Sequence, residues 1–131
     1  MEEKKYTIKP EISVELTKED IDDIMDAAMM GVTYWCDEAE VIGEYLGEWA
    51  SENISLGGVV RFHDAESDDA WDLDLEKFMN GFKLWVEKGY VHDGVIVDGD
   101  GSAKAIDCGC IDTLDADCIV QLGLFGEVVF G

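Results

Sequence analysis

The sequence predicts an α+β fold in which a small antiparallel sheet, made of an N-terminal strand and two hairpins, packs with about four helices. Two kinds of apolar spacing lead to this prediction. Alternation indicates strands, and recurrence every three or four residues indicates helices between them. The third observation is the stretch from Asp115 to Gly131, which is apolar on nearly every side and must be buried. The C-terminal helix is therefore expected to be the most buried element.

The chain has 131 residues, of which 47% are hydrophobic, so it can bury a core of its own. We expect a single globular domain over residues 1–131, with residues 1–4 flexible. The first residues are charged rather than apolar, and the longest apolar runs are too short to span a bilayer. Four cysteines without a secretion signal fit reduced thiols, so we expect a cytoplasmic protein.

The first predicted elements are a strand and a helix. Residues 5–16 alternate between apolar and polar, although Pro10 restricts this strand to a sheet edge or breaks it. Thr17 is expected to begin a helix, with Asp20 as its capping-box partner, and Gly31 to end it. The apolar face of this helix contains Ile21, Ile24, Met25, Ala28 and Met29.

A second helix is predicted from about Thr33 to Ile54. Its apolar stripe consists of Trp35, Ala39, Ile42, Tyr45, Leu46, Trp49 and Ala50. Gly43 and Gly47 lie one turn apart within it, and each costs about 1 kcal/mol of helix propensity relative to alanine. We expect another element to approach closely along these glycines.

A hairpin and a third helix are predicted next. The hairpin pairs residues 59–64 with residues 70–73, and its inward-facing residues are Val60, Phe62, Trp71 and Leu73. Asp74 is expected to cap the third helix and Gly89 to end it. The inner stripe of this helix contains Leu75, Phe78, Met79, Phe82, Trp85 and Val86.

A second hairpin precedes the last helix. It is predicted to join residues 94–98 to residues 103–108 through the turn Gly99-Asp100-Gly101. The last helix is expected to begin near Asp115.

Charge is the strongest functional signal in the sequence. The chain has 31 Asp and Glu residues against 9 Lys and Arg residues, a formal net charge of −22. Such a charge repels nucleic acid and anionic membranes and attracts basic surfaces. We therefore expect a basic nucleic-acid-binding protein as partner, and neither direct nucleic-acid binding nor membrane binding. A solvated surface or adaptation to salt is the plainer explanation, although solubility needs a net charge of only about 2–8.

Acidic residues cluster in three places. The first predicted helix carries Glu19, Asp20, Asp22, Asp23 and Asp26, and the first hairpin carries Asp64, Glu66, Asp68 and Asp69. A third group consists of Asp37, Glu38, Glu40 and Glu44. Carboxylates one helical turn apart are separated by about 6 Å, and those two residues apart on a strand by about 6.6 Å. Because such spacings can imitate a phosphate backbone, we expect the first two clusters to bind a partner's nucleic-acid groove.

The candidate metal motifs are incomplete. Asp98 to Ser102 resembles the start of a calcium loop, but Ala103 stands where glycine is required and Gly109 where glutamate is required. The cysteines are Cys36, Cys108, Cys110 and Cys118. Their spacing lacks the two pairs of a structural zinc site, so buried free thiols are the better interpretation. No metal or other cofactor is predicted.

Catalytic motifs are equally weak. The two histidines precede aspartates, in His63-Asp64 and His92-Asp93, and Cys36 or a serine could be a nucleophile beside either pair. Nothing in the spacing requires such a triad, so the protein is not expected to be an enzyme. The four tryptophans lie in phase with apolar stripes and are expected in the core; they are Trp35, Trp49, Trp71 and Trp85.

Two alternatives to a partner-binding acidic face remain open. The protein could sequester a small anionic ligand, such as a signalling nucleotide, if its basic residues converge around a pocket. Those residues are Arg61, Lys77, Lys83, Lys88 and Lys104. It could instead have a structural or assembly role and form a homodimer through the apolar C-terminal segment.

Several stretches resemble small acidic proteins of bacteriophages and prophages from gut Clostridia. They are Leu16 to Ile24, Tyr34 to Cys36, His63 to Ser67, and Asp115 to Gln121, and the resemblance spans most of the chain. It implies a phage protein acting in the host cytoplasm, where small acidic proteins antagonise host defence. By analogy with anti-CRISPR and anti-restriction DNA mimics, it implies a non-enzymatic inhibitor of a defence nuclease. The resemblance assigns no functional residues.

Overall fold

The computed structural model describes residues 4–6 and 13–131 of the chain. Two predictions fall largely outside the described residues: the flexibility of residues 1–4, of which only Lys4 is described, and most of the strand over residues 5–16.

The described end of the predicted N-terminal strand joins the second hairpin. Val14 forms a single parallel bridge with Lys104. The Lys104 amide donates to the Ser13 carbonyl and the Glu15 amide donates to the Lys104 carbonyl, both at 2.7 Å. The prediction that this segment belongs to an antiparallel sheet is therefore wrong for its described residues.

The described residues form three α-helices and five strands, which confirms a mixed α+β fold. In chain order the elements are α1 (Lys18–Gly31), β1 (Cys36–Ile42), β2 (Val59–Asp64), β3 (Ala70–Leu73), α2 (Leu75–Glu87), β4 (Ile96–Asp98), β5 (Lys104–Ile106) and α3 (Thr113–Phe125). The strands form two antiparallel sheets, in the orders β1-β2-β3 and β4-β5, rather than the one sheet predicted. The prediction of about four helices is one too many for this part of the chain.

The error lies in the helix predicted over Thr33 to Ile54. Residues 36–42 are strand β1, which pairs with β2 so that Ala39 lies opposite Phe62. Both periods fit this stretch, because its apolar residues recur at helical spacing and also alternate with acids. Gly43 ends the strand with a φ of +82°, a left-handed conformation that excludes it from a right-handed helix.

Side-chain caps define the helix starts. The Thr17 hydroxyl accepts a hydrogen bond from the Asp20 amide at 3.1 Å, and the Asp20 carboxylate accepts one from the Thr17 amide at 2.8 Å. This capping box and the helix end at Gly31 confirm the predictions for α1. Asp74 caps α2 as predicted, whereas Asp112 caps α3, which begins two residues before the predicted Asp115.

Helix α3 is the centre of the core and packs against both α1 and α2. A Cβ on Gly81 of α2 would lie 2.4 Å from the Ile119 carbonyl oxygen of α3, so glycine permits the close approach of these helices. The close approach predicted along Gly43 and Gly47 is absent at Gly43, around which the described residues leave open space, but a Cβ on Gly47 would lie 2.9 Å from the Leu56 side chain and 3.0 Å from that of Glu52. Seven of the thirteen α3 residues are buried.

A polar network around the buried side chains of Asp117 and Gln121 holds the C-terminal segment. The Asp117 carboxylate accepts hydrogen bonds from the Tyr34 hydroxyl at 2.6 Å and the Trp35 indole at 2.8 Å. The side-chain oxygen Oε1 of Gln121 accepts hydrogen bonds from the backbone amides of Val129 and Phe130, at 2.9 and 2.8 Å. Because Asp117 and Gln121 are buried, these bonds satisfy groups that would otherwise destabilise the fold.

Among the described residues, no helix has both the length and the apolar character needed to cross a membrane.

Candidate functional site

Two of the predicted site residues on α1 have structural partners. Asp20 belongs to the capping box, and its other carboxylate oxygen lies 3.3 Å from the Cys108 thiol. Asp22 is paired with the Lys18 ammonium at 2.6 Å and accepts a hydrogen bond from the Ser55 hydroxyl. These two carboxylates contribute to the fold and are less available to a partner.

The other three acids of α1 form an exposed row. Glu19, Asp23 and Asp26 occupy positions i, i+4 and i+7 of the helix and are all exposed. Residues at this spacing share one face. Within the described residues, none of the three takes part in an ion pair. We call Glu19, Asp23 and Asp26 the acidic row.

The sheet joins the acids of β1 to those of the first hairpin. In the β1–β2 register, Cys36 lies opposite Asp64 and Glu38 lies opposite His63, so the start of β1 adjoins the hairpin loop. The exposed acids gathered there are Asp37, Glu38, Glu66, Asp68 and Asp69, which we call the sheet-end cluster. In the sequence these acids fall into two separate clusters, because the strands that bring them together are not adjacent in the chain.

Asp64 organises the hairpin loop within this cluster. Its carboxylate accepts hydrogen bonds from the Ser67 hydroxyl at 2.7 Å and from the Glu66 amide at 3.1 Å. These bonds, the Ser67 bond first, lower the pKa of Asp64. Asp64 therefore shapes the loop, whereas the five acids of the sheet-end cluster are exposed to solvent.

The outer face of the three-stranded sheet carries paired charges. The Arg61 guanidinium binds both carboxylate oxygens of Asp72, at 2.7 and 3.1 Å, and lowers the pKa of that carboxyl. The Lys77 ammonium donates to the Asp72 carbonyl at 2.8 Å. Arg61, His63 and Lys77 line one shallow cavity of about 550 Å³.

The basic residues do not all converge on that cavity. Lys104 pairs with Asp98 at 2.6 Å in the second hairpin, and Lys83 pairs with Glu87 at 3.7 Å on α2. Each of these cations thus has a carboxylate of its own nearby. This scatter weakens the interpretation as a protein that sequesters an anionic ligand.

The loop between β1 and β2 exposes large apolar side chains that the predicted second helix would have buried. Tyr45 is 60% exposed, Leu46 52%, Trp49 65% and Leu56 41%. We call these four residues the loop surface. The predicted helix hides this surface, although Gly43 and Gly47 within it are a signal that no helix continues through them.

Trp49 faces the acids of α1 across a cavity. This cavity has a volume of about 630 Å³ and is lined by Lys18, Glu19, Asp22, Asp23, Asp26, Trp49, Ser51 and Glu52. The Lys18 ammonium lies within it, 2.6 Å from Asp22 and 3.2 Å from Glu52. The acidic row and Trp49, one residue of the loop surface, therefore border the same cavity.

The histidines bind carboxylates other than those of their neighbours. His63 lies 3.0 Å from Glu40, and His92 lies 2.6 Å from Asp115. Neither the pair His63-Asp64 nor the pair His92-Asp93 is thus arranged as the orienting pair of a triad.

The cysteines are free thiols without a shared centre. Burial, with Asp20 nearby, raises the pKa of Cys108 to about 12, so its reactive thiolate is disfavoured. Burial also raises the pKa of Cys36. Within the described part of the chain, no three His, Cys, Asp or Glu residues group as metal ligands.

The C-terminal segment buries most of its apolar surface within the chain itself. Val128 and Val129 are exceptions and stay exposed. The homodimer through this segment stays a prediction.

Comparisons with protein-family models, with curated proteins and with solved structures give no match to this chain.

Proposed function

We propose that the protein is a non-enzymatic inhibitor of phage type, which acts in the cytoplasm of a bacterial host. Its acidic surface occupies the nucleic-acid groove of a basic protein, such as a defence nuclease, in place of nucleic acid. The acidic row is the observation that carries this proposal, and the net charge of −22 supports it. The resemblance to small phage proteins is consistent with the setting but adds no residues.

The geometry of the acidic row suits a groove that binds phosphates. Seven residues of α-helix separate Glu19 from Asp26, a rise of about 10.5 Å. Over the same axial distance one strand of DNA advances by about three steps of about 3.4 Å, which places about four phosphates. Three exposed carboxylates on a rigid, capped helix thus offer a similar linear charge without the flexibility of a disordered acidic tail.

The sheet-end cluster extends the same chemistry over a second region. Hydrogen bonds centred on Asp64 hold the hairpin loop, so the backbone that carries Glu66, Asp68 and Asp69 is ordered before a partner arrives. Pre-arranged charges accelerate association and reduce the entropy lost on binding.

Partners would first be captured from a host lysate at about 50 and about 500 mM salt, where screening separates electrostatic from apolar binding. The decisive measurement is competition on a purified nuclease so captured. We expect the protein and a short DNA duplex to exclude each other, and the affinity to fall steeply with salt.

Matched variants test which acids matter. The triple variant Glu19→Gln, Asp23→Asn, Asp26→Asn should weaken binding about tenfold or more, since charge pairs across interfaces contribute more than 1 kcal/mol each. The control variant Glu76→Gln, Asp93→Asn, Glu127→Gln removes the same charge from other exposed positions and should weaken binding less than about threefold. Equal losses of affinity in the two triple variants would mean that the net charge of the protein, rather than the acidic row, determines binding. Simultaneous binding of protein and duplex would overturn the proposed mimicry.

A further inference from the structure

The loop surface is anomalous for so charged a protein. Tyr45, Leu46, Trp49 and Leu56 lie within twelve residues of chain and expose much of their area to water. Contiguous exposed apolar side chains bordered by polar residues are typical of protein-interaction sites. Trp and Tyr are also the residues most enriched at the energetic centres of interfaces.

The exposure does not come from a loosely held loop. Asn53 is buried, and its carboxamide accepts the Leu46 amide at 3.2 Å and donates to the Val59 carbonyl at 3.1 Å. The Glu52 carboxylate accepts the Trp49 amide at 3.2 Å. The backbone of the loop is therefore fixed, and its apolar side chains are presented outward in a defined arrangement.

The charges around the loop surface determine which kind of partner can bind there. Glu44 and Glu48 flank the apolar residues along the loop, and Trp49 shares its cavity with the acidic row. A second copy of this chain would bring another −22 charge to the same place, and an anionic membrane would also be repelled. A cationic protein surface is complementary to both the aromatic side chain and its acidic surroundings.

Among cationic side chains, arginine fits best. Its planar guanidinium stacks on aromatic rings and pairs with carboxylates at its edge, whereas a lysine ammonium is a compact and strongly hydrated charge. Trp49 offers an exposed ring beside carboxylates, and the Lys18 ammonium already lies between Asp22 and Glu52 in the same cavity.

We propose that the loop surface is the apolar centre of the interface with the basic partner and that Trp49 stacks against an arginine of that partner. The inference rests on the proposed function, because it assigns the contact centre of the same interaction. The acidic row then guides the encounter, and the loop surface determines how long the complex lasts.

The test uses two peptides of equal length and equal charge, one with arginines and one with lysines at the same positions. Trp49 is the most exposed tryptophan, since Trp35 and Trp85 are buried and Trp71 is half-buried. Tryptophan fluorescence and its quenching by acrylamide therefore report mainly on Trp49. We expect the arginine peptide to bind about fivefold or more tightly than the lysine peptide and to protect Trp49 from the quencher.

Variants separate the loop surface from general charge. Trp49→Ala should abolish the preference for arginine, and Trp49→Phe should retain most of it. Tyr90→Ala removes an exposed aromatic ring elsewhere and should leave the preference unchanged. Isothermal titration calorimetry gives these affinities for variants that lack Trp49 fluorescence.

Each outcome decides the inference separately from the proposed function. Equal affinities for the two peptides, or a preference that survives in Trp49→Ala, would overturn it even if the protein displaces DNA from a nuclease. A dimer in light scattering that Trp49→Ala converts to a monomer would also overturn it, because the surface would then bind a second copy. A preference for arginine lost only in Trp49→Ala supports the inference even if no nuclease is inhibited.

Discussion

Trp35 and Trp49 show how differently one residue type is used in this chain. Both were predicted on the same helical stripe and both were expected in the core. Trp35 is 3% exposed, its indole donates to Asp117, and its ring stacks on Phe130 with centroids 4.8 Å apart. Trp49 is 65% exposed and lies beside acids.

The difference depends on polar partners as much as on hydrophobicity. A buried indole needs an acceptor for its N–H, and Asp117 is positioned to provide one because α3 brings it into the core. Trp35 is thus part of a network that also includes Tyr34 and Gln121. At Trp49 the chain fixes the backbone and leaves the side chain to solvent, so we expect its contribution to be to binding rather than to folding.

The largest expected effect is that of Trp35→Ala. It removes a buried ring and one of the three hydrogen-bond donors to Asp117, so we expect a loss of about 3–5 kcal/mol in the free energy of unfolding, measured by urea denaturation. The matched Trp49→Ala variant should lose less than about 0.5 kcal/mol. Similar losses for the two variants would contradict the contrast between them.

Gln121→Ala should have the next largest effect. It removes the acceptor of the Val129 and Phe130 amides and a donor to Asp117. We expect a loss of about 2–3 kcal/mol, together with faster amide hydrogen exchange at Val129 and Phe130. Glu127→Ala in the same segment is the control and should change stability by less than about 0.5 kcal/mol, because Glu127 is exposed. Unchanged exchange in Gln121→Ala would show that stacking alone holds the segment.

A smaller effect is expected from Tyr34 at high pH. Burial of its hydroxyl and its hydrogen bond to Asp117 raise the pKa of Tyr34 from 10.0 to about 12. The neutral phenol is therefore favoured by folding, and its stabilisation is present below pH 10 and lost as the pH rises through about 12. Urea midpoints measured across this range should fall less steeply in Tyr34→Phe. Parallel curves for the two proteins would exclude this contribution.

Substitution of Trp49 should have the smallest effect on the stability of the fold. It should instead change the tryptophan fluorescence. Trp49→Phe should remove most of the emission that acrylamide quenches while leaving circular dichroism and the urea midpoint unchanged. Quenching that persists in this variant would mean that another tryptophan is exposed in solution.

The sequence predicted the elements that local interactions determine. Helix α1 follows from Thr17 and Asp20 and from an apolar face at helical spacing, and the first hairpin follows from alternation alone. Strand β1 was missed because its acids and apolar residues also fit a helix. The pairing with β2 that stabilises the strand involves residues about twenty positions away.

The candidate site was predictable in composition but not in geometry. The sequence places acids on one face of α1. It does not show that the carboxylates of Asp20 and Asp22 accept hydrogen bonds from Thr17, Lys18 and Ser55 within the chain. Nor does it show that Trp49 faces solvent, since that depends on a loop held by Asn53.

Asn53 has a consequence for how the chain can change over generations. Because its buried carboxamide, rather than the exposed side chains of Tyr45, Leu46 and Trp49, holds the loop, we expect those side chains to be replaceable without unfolding the protein. Related chains that keep an asparagine at this position could therefore diverge freely at positions 45, 46 and 49. Such divergence would let one scaffold follow a target whose surface is itself evolving.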